Sequence, residues 1–322
     1  MRDGARWLGE AVASALADSE PGDEVVVVDD GSRDDPATVL PRDPRVRLLH
    51  QPPRGIVAAL EHGRSVANGE LIARLDCDDL VLPGRLPAQR AHLAENPGLA
   101  AVGGRARAVA DGGEVPSFMQ RYVDWVNSVR HPAREILVES PMFHPASTFR
   151  AAALGSVGGW REGDFAEDYD LFLRLARAGH GLYNLDREVL AWRDRPGRLS
   201  RTDPRYAREA MFPLKSAWLA SGALAARRRV ATWGAGKAGR PWLAWLRSQG
   251  HDLAAVIDIG AGRPGFVSRQ GVPVTPPESL AQLSFDLLLV AVGSRGGREE
   301  VRAQIAALRP DLVEGRDWFA VA

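Results

Sequence analysis

The 322-residue chain contains one cysteine, Cys77, so no internal disulfide can form and a disulfide-stapled secreted module is excluded. It has no net charge. Its 41 Lys and Arg balance 41 Asp and Glu, which removes the global field that would gather nucleic acid or an acidic membrane surface. No apolar run approaches the ~18 residues of a membrane span, and the first residues lack a basic stretch followed by an apolar signal segment. Internal repeats and low-complexity tracts are also missing. A composition of 45% hydrophobic and 25% charged residues supplies a sizeable core, and the length suits two domains of roughly 100 to 200 residues each. A lone cysteine fits a reducing compartment. The expected location is the cytoplasm, with attachment at the inner face of the membrane through a partner left open.

What the chain does have is Asp76-Cys77-Asp78-Asp79, three carboxylates in four residues, directly after the apolar run that begins at Leu71 and Ile72. A strand ending in packed carboxylates cannot leave them buried and unpaired, so the cluster faces water, a metal ion or a ligand. Oxygen donors favour a hard cation such as Mg²⁺ or Mn²⁺, which commonly completes its shell with water and substrate phosphates. The spacing of a calcium-binding loop is absent. On the tetrad alone, a solvated loop of aspartates competes with the metal reading.

Along the chain, strand and helix patterns alternate with short connections, the signature of an α/β protein. A helix is expected from Trp7 to Leu16. The valine run Val25 to Val28 reads as a strand buried on both faces, as in a parallel sheet, and it stops at Asp29-Asp30-Gly31-Ser32. Further strands are expected at Val46 to Leu49, Leu71 to Leu75 and Leu99 to Gly103, with helices at Gly55 to Ala67 and Arg85 to Glu95. Glu167-Asp168-Tyr169-Asp170 opens a helix that Gly179 closes. The two acidic strand tips can converge on one ligand, because in open α/β sheets the crevice lies outside the carboxyl ends of the strands. The acidic helix start has a structural explanation of its own, since negative charge is favourable there.

Past an Ala-rich helix ending in Arg227-Arg228-Arg229, a strand at Val230 to Trp233 leads into Gly234-x-Gly236-x-x-Gly239 and a helix, with Asp258 ~20 residues on. That is the context of a dinucleotide fingerprint in a short Rossmann-like domain. A nucleotide or dinucleotide bound by Gly234, Gly236 and Gly239 is the expectation, and hydride chemistry is not, because no catalytic set for a dehydrogenase is visible. The expected domains are residues 1–225 and 226–322.

Val28-Asp29-Asp30-Gly31-Ser32-x-Asp34, Asn68-Gly69-Glu70-x-Ile72-x-x-Leu75-Asp76-x-Asp78-Asp79, Gly158-Gly159-Trp160-Arg161 and Glu167-Asp168-Tyr169-Asp170-Leu171-x-Leu173-Arg174-Leu175 occur in that order over residues 1 to 215. In these blocks the chain resembles the family 2 glycosyltransferases of the GT-A fold. The resemblance implies an α/β fold with a mostly parallel central sheet. It further implies inverting transfer, of hexosyltransferase type, from a nucleotide-diphosphate sugar to a saccharide or lipid-linked saccharide, in polysaccharide or glycoconjugate biosynthesis. Asp29 and Asp30 match the acidic pair that contacts the nucleoside base, with Ser32 in the same tip. Asp76 and Asp78 match the Asp-x-Asp motif that meets ribose and a divalent metal, with Asp79 sharing that role. Asp168 matches the catalytic base. Arg74, Arg193, Arg195 and Arg198 are candidates for phosphate oxygens.

Two departures stand out. Relatives normally begin with an additional apolar strand, and Met1 falls where that strand would already have ended, so a missing first strand is expected. Many relatives also place a metal-binding His after the base helix, and no His occurs between His180 and His251. Two other readings stay open from the sequence: a nucleotidyltransferase, whose Gly-rich, Arg-containing N-terminal loop is not found, and a non-catalytic nucleotide-sugar binder.

Overall fold

The computed structural model describes residues 1–294 and 296–322. The chain divides into two units, one of residues 1–133 and 140–211, the other of residues 134–139 and 212–322. The boundary expected at 225/226 falls inside the second unit. The Arg208–Ala220 helix explains why, since its Phe212 packs on Trp242 with ring centroids 4.7 Å apart and its Trp218 on Phe319 at 5.8 Å.

In the first unit, helix α1 (Ala5–Asp18) covers strand β1 (Val25–Asp30) by placing Leu8 and Val12 against Val27. β1 pairs in parallel with β2 (Val46–Gln51), in a register that sets Asp29 beside His50 and Asp30 beside Gln51. Among the described residues β2 is the only strand on β1; on the other edge Met1 accepts the Asp30 N–H at 2.8 Å. Helix α2 (Ile56–Val66) leads to β3 (Leu71–Ala73), and the carboxylate turn separates β3 from the short β4 (Leu80–Val81). Helix α3 (Arg85–Glu95), β5 (Leu99–Ala110), helix α4 (Ser117–Ser128), β6 (Thr148–Arg150), the Glu167–Arg177 helix and β7 (Gly181–Asp194) follow.

These strands form a five-stranded sheet in the order β3-β6-β5-β7-β4. Only β5 and β7 run parallel; the pairs β3–β6, β5–β6 and β4–β7 are antiparallel. The α/β class stands, but the sheet is mixed where a mostly parallel one was expected, and the two acidic tips end strands of separate hydrogen-bonded sheets. The reason is long-range pairing. The periodicity of Leu71–Ala73 shows a strand but not that Thr148–Arg150 returns beside it in the opposite direction. The core under the site joins Val123 and Val126 of α4 to Phe143, Leu190 and Trp192, with Leu75 packed against them.

The second unit has a six-stranded sheet, order β10-β11-β9-β8-β12-β13, comprising β8 (Arg229–Trp233), β9 (Asp252–Ile257), β10 (Ser268–Arg269), β11 (Val272–Thr275), β12 (Leu287–Val290) and β13 (Trp318–Ala320). All its pairs are parallel except the β10–β11 hairpin. β12 is buried at every position, as a strand covered on both faces must be. The chain leaves β8 toward β9 on one side and later returns to β12 on the other, so the strand order reverses at β8. Among the described residues, no helix is long and apolar enough to cross a membrane.

Candidate active site

The turn between β3 and β4 brings the three carboxylates together. The Asp79 N–H donates to the Asp76 carbonyl at 3.2 Å, and one oxygen from each of Asp76, Asp78 and Asp79 lies within 4.8 Å of the others. Asp78 and Asp79 are buried and Asp76 is partly exposed. Three negative charges this close need counter-charge, and guanidinium groups supply it. Arg74, itself buried, pairs with Asp76. Arg195 Nε donates to Asp78 Oδ2 at 2.6 Å. Arg198 reaches all three: Nη1 lies 3.0 Å from Asp79 Oδ1 and 4.0 Å from Asp78 Oδ1, and Nη2 lies 3.2 Å from Asp76 Oδ2. Arg193 contributes its backbone N–H to Asp79 at 2.8 Å.

The electrostatics separate members of the cluster. Burial would push the Asp76 carboxyl up, but the charges of Arg74 and Arg198 outweigh it and hold the group at about 2. At Asp79 burial wins over the attraction of Arg198, and the carboxyl is pushed up to about 7. Burial, with the neighbouring Asp78 charge, also lifts the Cys77 thiol to about 12, so it is an inert small residue inside the turn. Among the described residues, Asp79 Oδ2 is buried without a hydrogen-bond partner. Three oxygen donors, one of them orphaned, fit a hard divalent cation.

Asp168 lies in the first turn of the Glu167–Arg177 helix, where the free backbone N–H groups and the helix dipole favour acids. Each acid of that turn has a different task. Asp170 is buried and pairs with Arg161 at 2.7 Å and Arg174 at 2.8 Å, while Arg174 also donates to the carbonyls of Val157 and Gly159 and so pins the Gly158-Gly159-Trp160 turn. Glu167 is buried and accepts the Tyr206 hydroxyl at 2.5 Å. Asp168 keeps some solvent contact, with Oδ1 accepting the Tyr169 N–H at 2.7 Å. Burial, and then the charge of Glu167, raise the Asp168 carboxyl to about 7. The Arg74 charge acts on Asp76 and Asp79 and also on Glu167 and Asp168, so the turn and the helix start share the field of one buried guanidinium.

Behind this helix His144 is buried among Phe149, Trp160 and Phe172. Trp160 Nε1–H donates to His144 Nε2 at 2.9 Å, and burial followed by the nearby Arg74 charge depresses the imidazole well below its ordinary value. His144 and Trp160 are therefore a neutral packing pair.

At the first acidic tip the carboxylates are already engaged. Asp30 accepts from Gln51 Nε2 at 2.7 Å and from the backbone N–H groups of Arg54 and Gly55 at 2.8 and 2.9 Å. Asp29 accepts the Ser32 N–H at 3.0 Å and lies 3.1 Å from His50 Nδ1. Ser32 Oγ accepts the Asp3 N–H at 2.9 Å. Gly31 has φ +71, and a Cβ there would press on Pro53, so the Asp-Asp-Gly-Ser turn requires glycine. Asp34 accepts the Ala5 N–H at 2.7 Å and caps the start of α1.

In the second unit the glycines open the helix Gly239–Ser248 at the point where strand order reverses. Gly234 has φ +116 and packs on the Ala291 carbonyl, and a Cβ on Gly239 would run into the Gly234 carbonyl. Gly236 faces open space within 4 Å. Asp258 does not present a free carboxylate: its oxygens accept the N–H groups of Ala235 and Gly260, each at 2.7 Å.

Several participants carry no local sequence signal. Tyr206, Trp192 and Trp7 are ordinary residues until the fold brings them to the acids; Arg198 stacks on Trp192 at 4.6 Å and Arg195 on Trp7 at 4.9 Å. His50 and Gln51 could have been found from the parallel register of β2 against the Asp29-Asp30 tip. His62, at 2.9 Å from Gln51 Oε1, supports Gln51 in turn.

The family model described as "Glycosyl transferase family 2" matches residues 2–154. "Putative glycosyltransferase EpsE" of Bacillus subtilis is 30% identical over 199 residues, covering 59% of this chain and 69% of that protein. "Chondroitin synthase" of Pasteurella multocida is 29% identical over 180 residues, covering 54% of this chain. The first curated relatives are much longer, and the chain spans only 15% to 18% of their length. Among solved structures, a mannosyltransferase, PcManGT, from Pyrobaculum calidifontis in complex with GDP-Man and Mn²⁺ superposes with a TM-score of 0.50 at 19% identity, over 78% of this chain and 82% of that one, a likeness of fold. With the acidic motifs standing in the family's order on that fold, and a relative matched over two thirds of its length, the chain belongs to glycosyl transferase family 2.

Proposed function

We propose that the first unit transfers a sugar from a nucleotide-diphosphate sugar to a hydroxyl of a saccharide or lipid-linked saccharide, with inversion, in polysaccharide or glycoconjugate biosynthesis. The observation that carries this reading is Asp168: a partly buried carboxyl at a helix start, raised to about 7 and within the field of Arg74, the guanidinium that pairs with Asp76 of the carboxylate cluster. A group that titrates near the working pH can accept a proton and release it again. In the proposed step Asp168 takes the proton of the acceptor hydroxyl. The acceptor oxygen then bonds to the anomeric carbon from the face opposite the leaving group, and the bond from that carbon to the diphosphate oxygen breaks. The nucleoside diphosphate leaves with the electron pair, and the configuration inverts.

Asp76, Asp78 and Asp79 would hold Mn²⁺ or Mg²⁺, which supplies Lewis-acid neutralisation of the departing diphosphate. Arg74, Arg195 and Arg198 are the cations nearest that charge. Glu167, held by Tyr206, stands beside Asp168; burial raises its own carboxyl, and whatever charge it carries adds to the proton affinity of Asp168. Asp29, Asp30 and Ser32 are assigned to the nucleoside side of the pocket. The mannosyltransferase neighbour with GDP-Man and Mn²⁺ supports the donor and metal classes, and the chondroitin synthase relative supports the polysaccharide setting. In the second unit, Gly234, Gly236 and Gly239 are assigned to a nucleotide; the open space at Gly236 would admit a phosphate close to the backbone. The proposed location is the cytoplasm, peripheral at the inner face of the membrane.

Incubating the full chain with Mn²⁺, a panel of nucleotide sugars and simple saccharide acceptors tests this directly. Acceptor-dependent release of nucleoside diphosphate is expected with one donor, and Asp168→Asn should lose that turnover by about 10² to 10⁴-fold. Pyrophosphate release instead, or an Asp168→Asn protein with unchanged turnover, would sink the assignment.

A further inference from the structure

Arg198 sits in the place where a cation bound by the cluster would have to act. Its guanidinium reaches all three carboxylates, at 3.0, 3.2 and 4.0 Å. It is buried, donates to the Arg193 carbonyl at 2.7 Å and has its Cζ 4.6 Å from the centroid of the Trp192 ring. Arg195 repeats the arrangement one step further out, with Nε on Asp78 and its guanidinium over Trp7. With Arg74 on Asp76, three guanidinium groups face the three carboxyl groups. A divalent ion added to this set would share the same oxygens with Arg198, and like charges at such separations repel strongly where water is excluded.

We infer that Arg198, with Arg195, is a displaceable counter-cation: it holds the Asp76-Asp78-Asp79 oxygens together before a divalent cation binds, and it yields them to that cation. This rests on the reading of the cluster as the metal site. Both arginines lie in the short segment after β7, and giving up the carboxylates leaves two guanidiniums beside the site with donors to spare. The diphosphate of the donor offers them new acceptors. Entry of the metal alone therefore works against the Arg198 contacts, whereas entry of metal with a nucleoside diphosphate replaces them. The two ligands should bind cooperatively, and by linkage each should strengthen the other by the same factor. Arg198 is a positioning residue for the metal ligands and, after displacement, a contact for the diphosphate.

The test measures Mn²⁺ binding to the full chain from the resonance signal of free Mn²⁺, first with Mn²⁺ alone and then with UDP or GDP present. Arg198→Met is expected to bind Mn²⁺ alone roughly tenfold more tightly than the wild type, and to lose roughly tenfold of the coupling between Mn²⁺ and nucleotide. The wild-type protein supplies a second readout that needs no variant: Mn²⁺ should speed phenylglyoxal labelling of Arg198, read by peptide mass spectrometry. Equal Mn²⁺ affinity in the two proteins, or labelling of Arg198 indifferent to Mn²⁺, overturns the displacement. Absence of Mn²⁺ binding in both proteins, or binding that survives Asp78→Asn, overturns the metal site itself and the displacement with it.

Discussion

Asp168 is more expensive to ionise in the folded protein than in the unfolded chain, because it is withdrawn from water next to Glu167. A carboxyl whose folded value is raised from 3.8 to about 7 favours the fold while protonated, and that contribution is lost as pH rises from about 4 through 7. Asp168→Asn removes the charge but keeps the shape. At pH 8.5 the variant should therefore be more stable than the wild type by roughly 1 to 2 kcal/mol, a figure reduced for the solvent contact Asp168 retains. At pH 3, below both the folded and the unfolded value, the difference should nearly vanish, since the position is then neutral in both states of both proteins. Thermal unfolding at the two pH values checks the sign; an Asn variant that is less stable at pH 8.5 would mean that Asp168 is a structural cap and not a strained acid. The acids themselves were legible in the sequence, because Asp-x-Asp and Glu-Asp are local patterns. Their partners were not. Arg198 meets Asp79 across 119 residues and Tyr206 meets Glu167 across 39, and only the placement of β7 beside β4 brings the arginine segment to the turn.

At the scale of elements, local turn chemistry proved readable and strand pairing did not. Gly31 and Gly179 stand at positive φ where the sequence marks a turn and a helix end, and the 234–239 glycines open a helix directly after β8 as their spacing implies. The mixed character of the first sheet was invisible, since antiparallel pairing of β3 with β6 depends on residues 75 positions or more apart, which no local period reports. The glycine loop gives an element-level prediction. A methyl group on Gly239 would meet the Gly234 carbonyl, a backbone atom fixed by β8, whereas one on Gly236 meets nothing within 4 Å. Gly239→Ala should cost about 1 to 3 kcal/mol, and Gly236→Ala should stay within about 0.5 kcal/mol of the wild type. Denaturant unfolding of the full chain measures both. If the two substitutions are equally tolerated, the loop is not packed as described and the case for a fingerprint at Gly234, Gly236 and Gly239 loses its structural basis.

For the molecule as a whole, the informative fact is that the second unit is discontinuous in sequence. Residues 134–139 leave the first unit's chain and belong with residues 212–322. Glu135 pairs with Arg302 at 2.5 Å and with Arg298 at 3.6 Å, Arg134 with Glu314 at 2.6 Å, and Lys215 Nζ donates to the Val138 carbonyl at 2.5 Å. The short Pro132–Glu135 helix gives no sign of this in sequence, because its partners lie 160 residues or more downstream. A chain ending at Met211 would keep every residue assigned to sugar transfer, yet it would leave Glu135 without its cations and Val138 without its donor. Unpaired buried groups of this kind cost roughly 1 to 3 kcal/mol each. Residues 1–211 alone should consequently unfold at lower temperature than the full chain's first transition, with faster proteolysis around 134–139. Arg302→Met in the full chain should reproduce part of the loss without removing any residue of the proposed sugar-transfer site. A 1–211 fragment as stable as the intact protein would show instead that the inserted segment is a passive connection, and that residues 212–322 add nothing to the stability of residues 1–211.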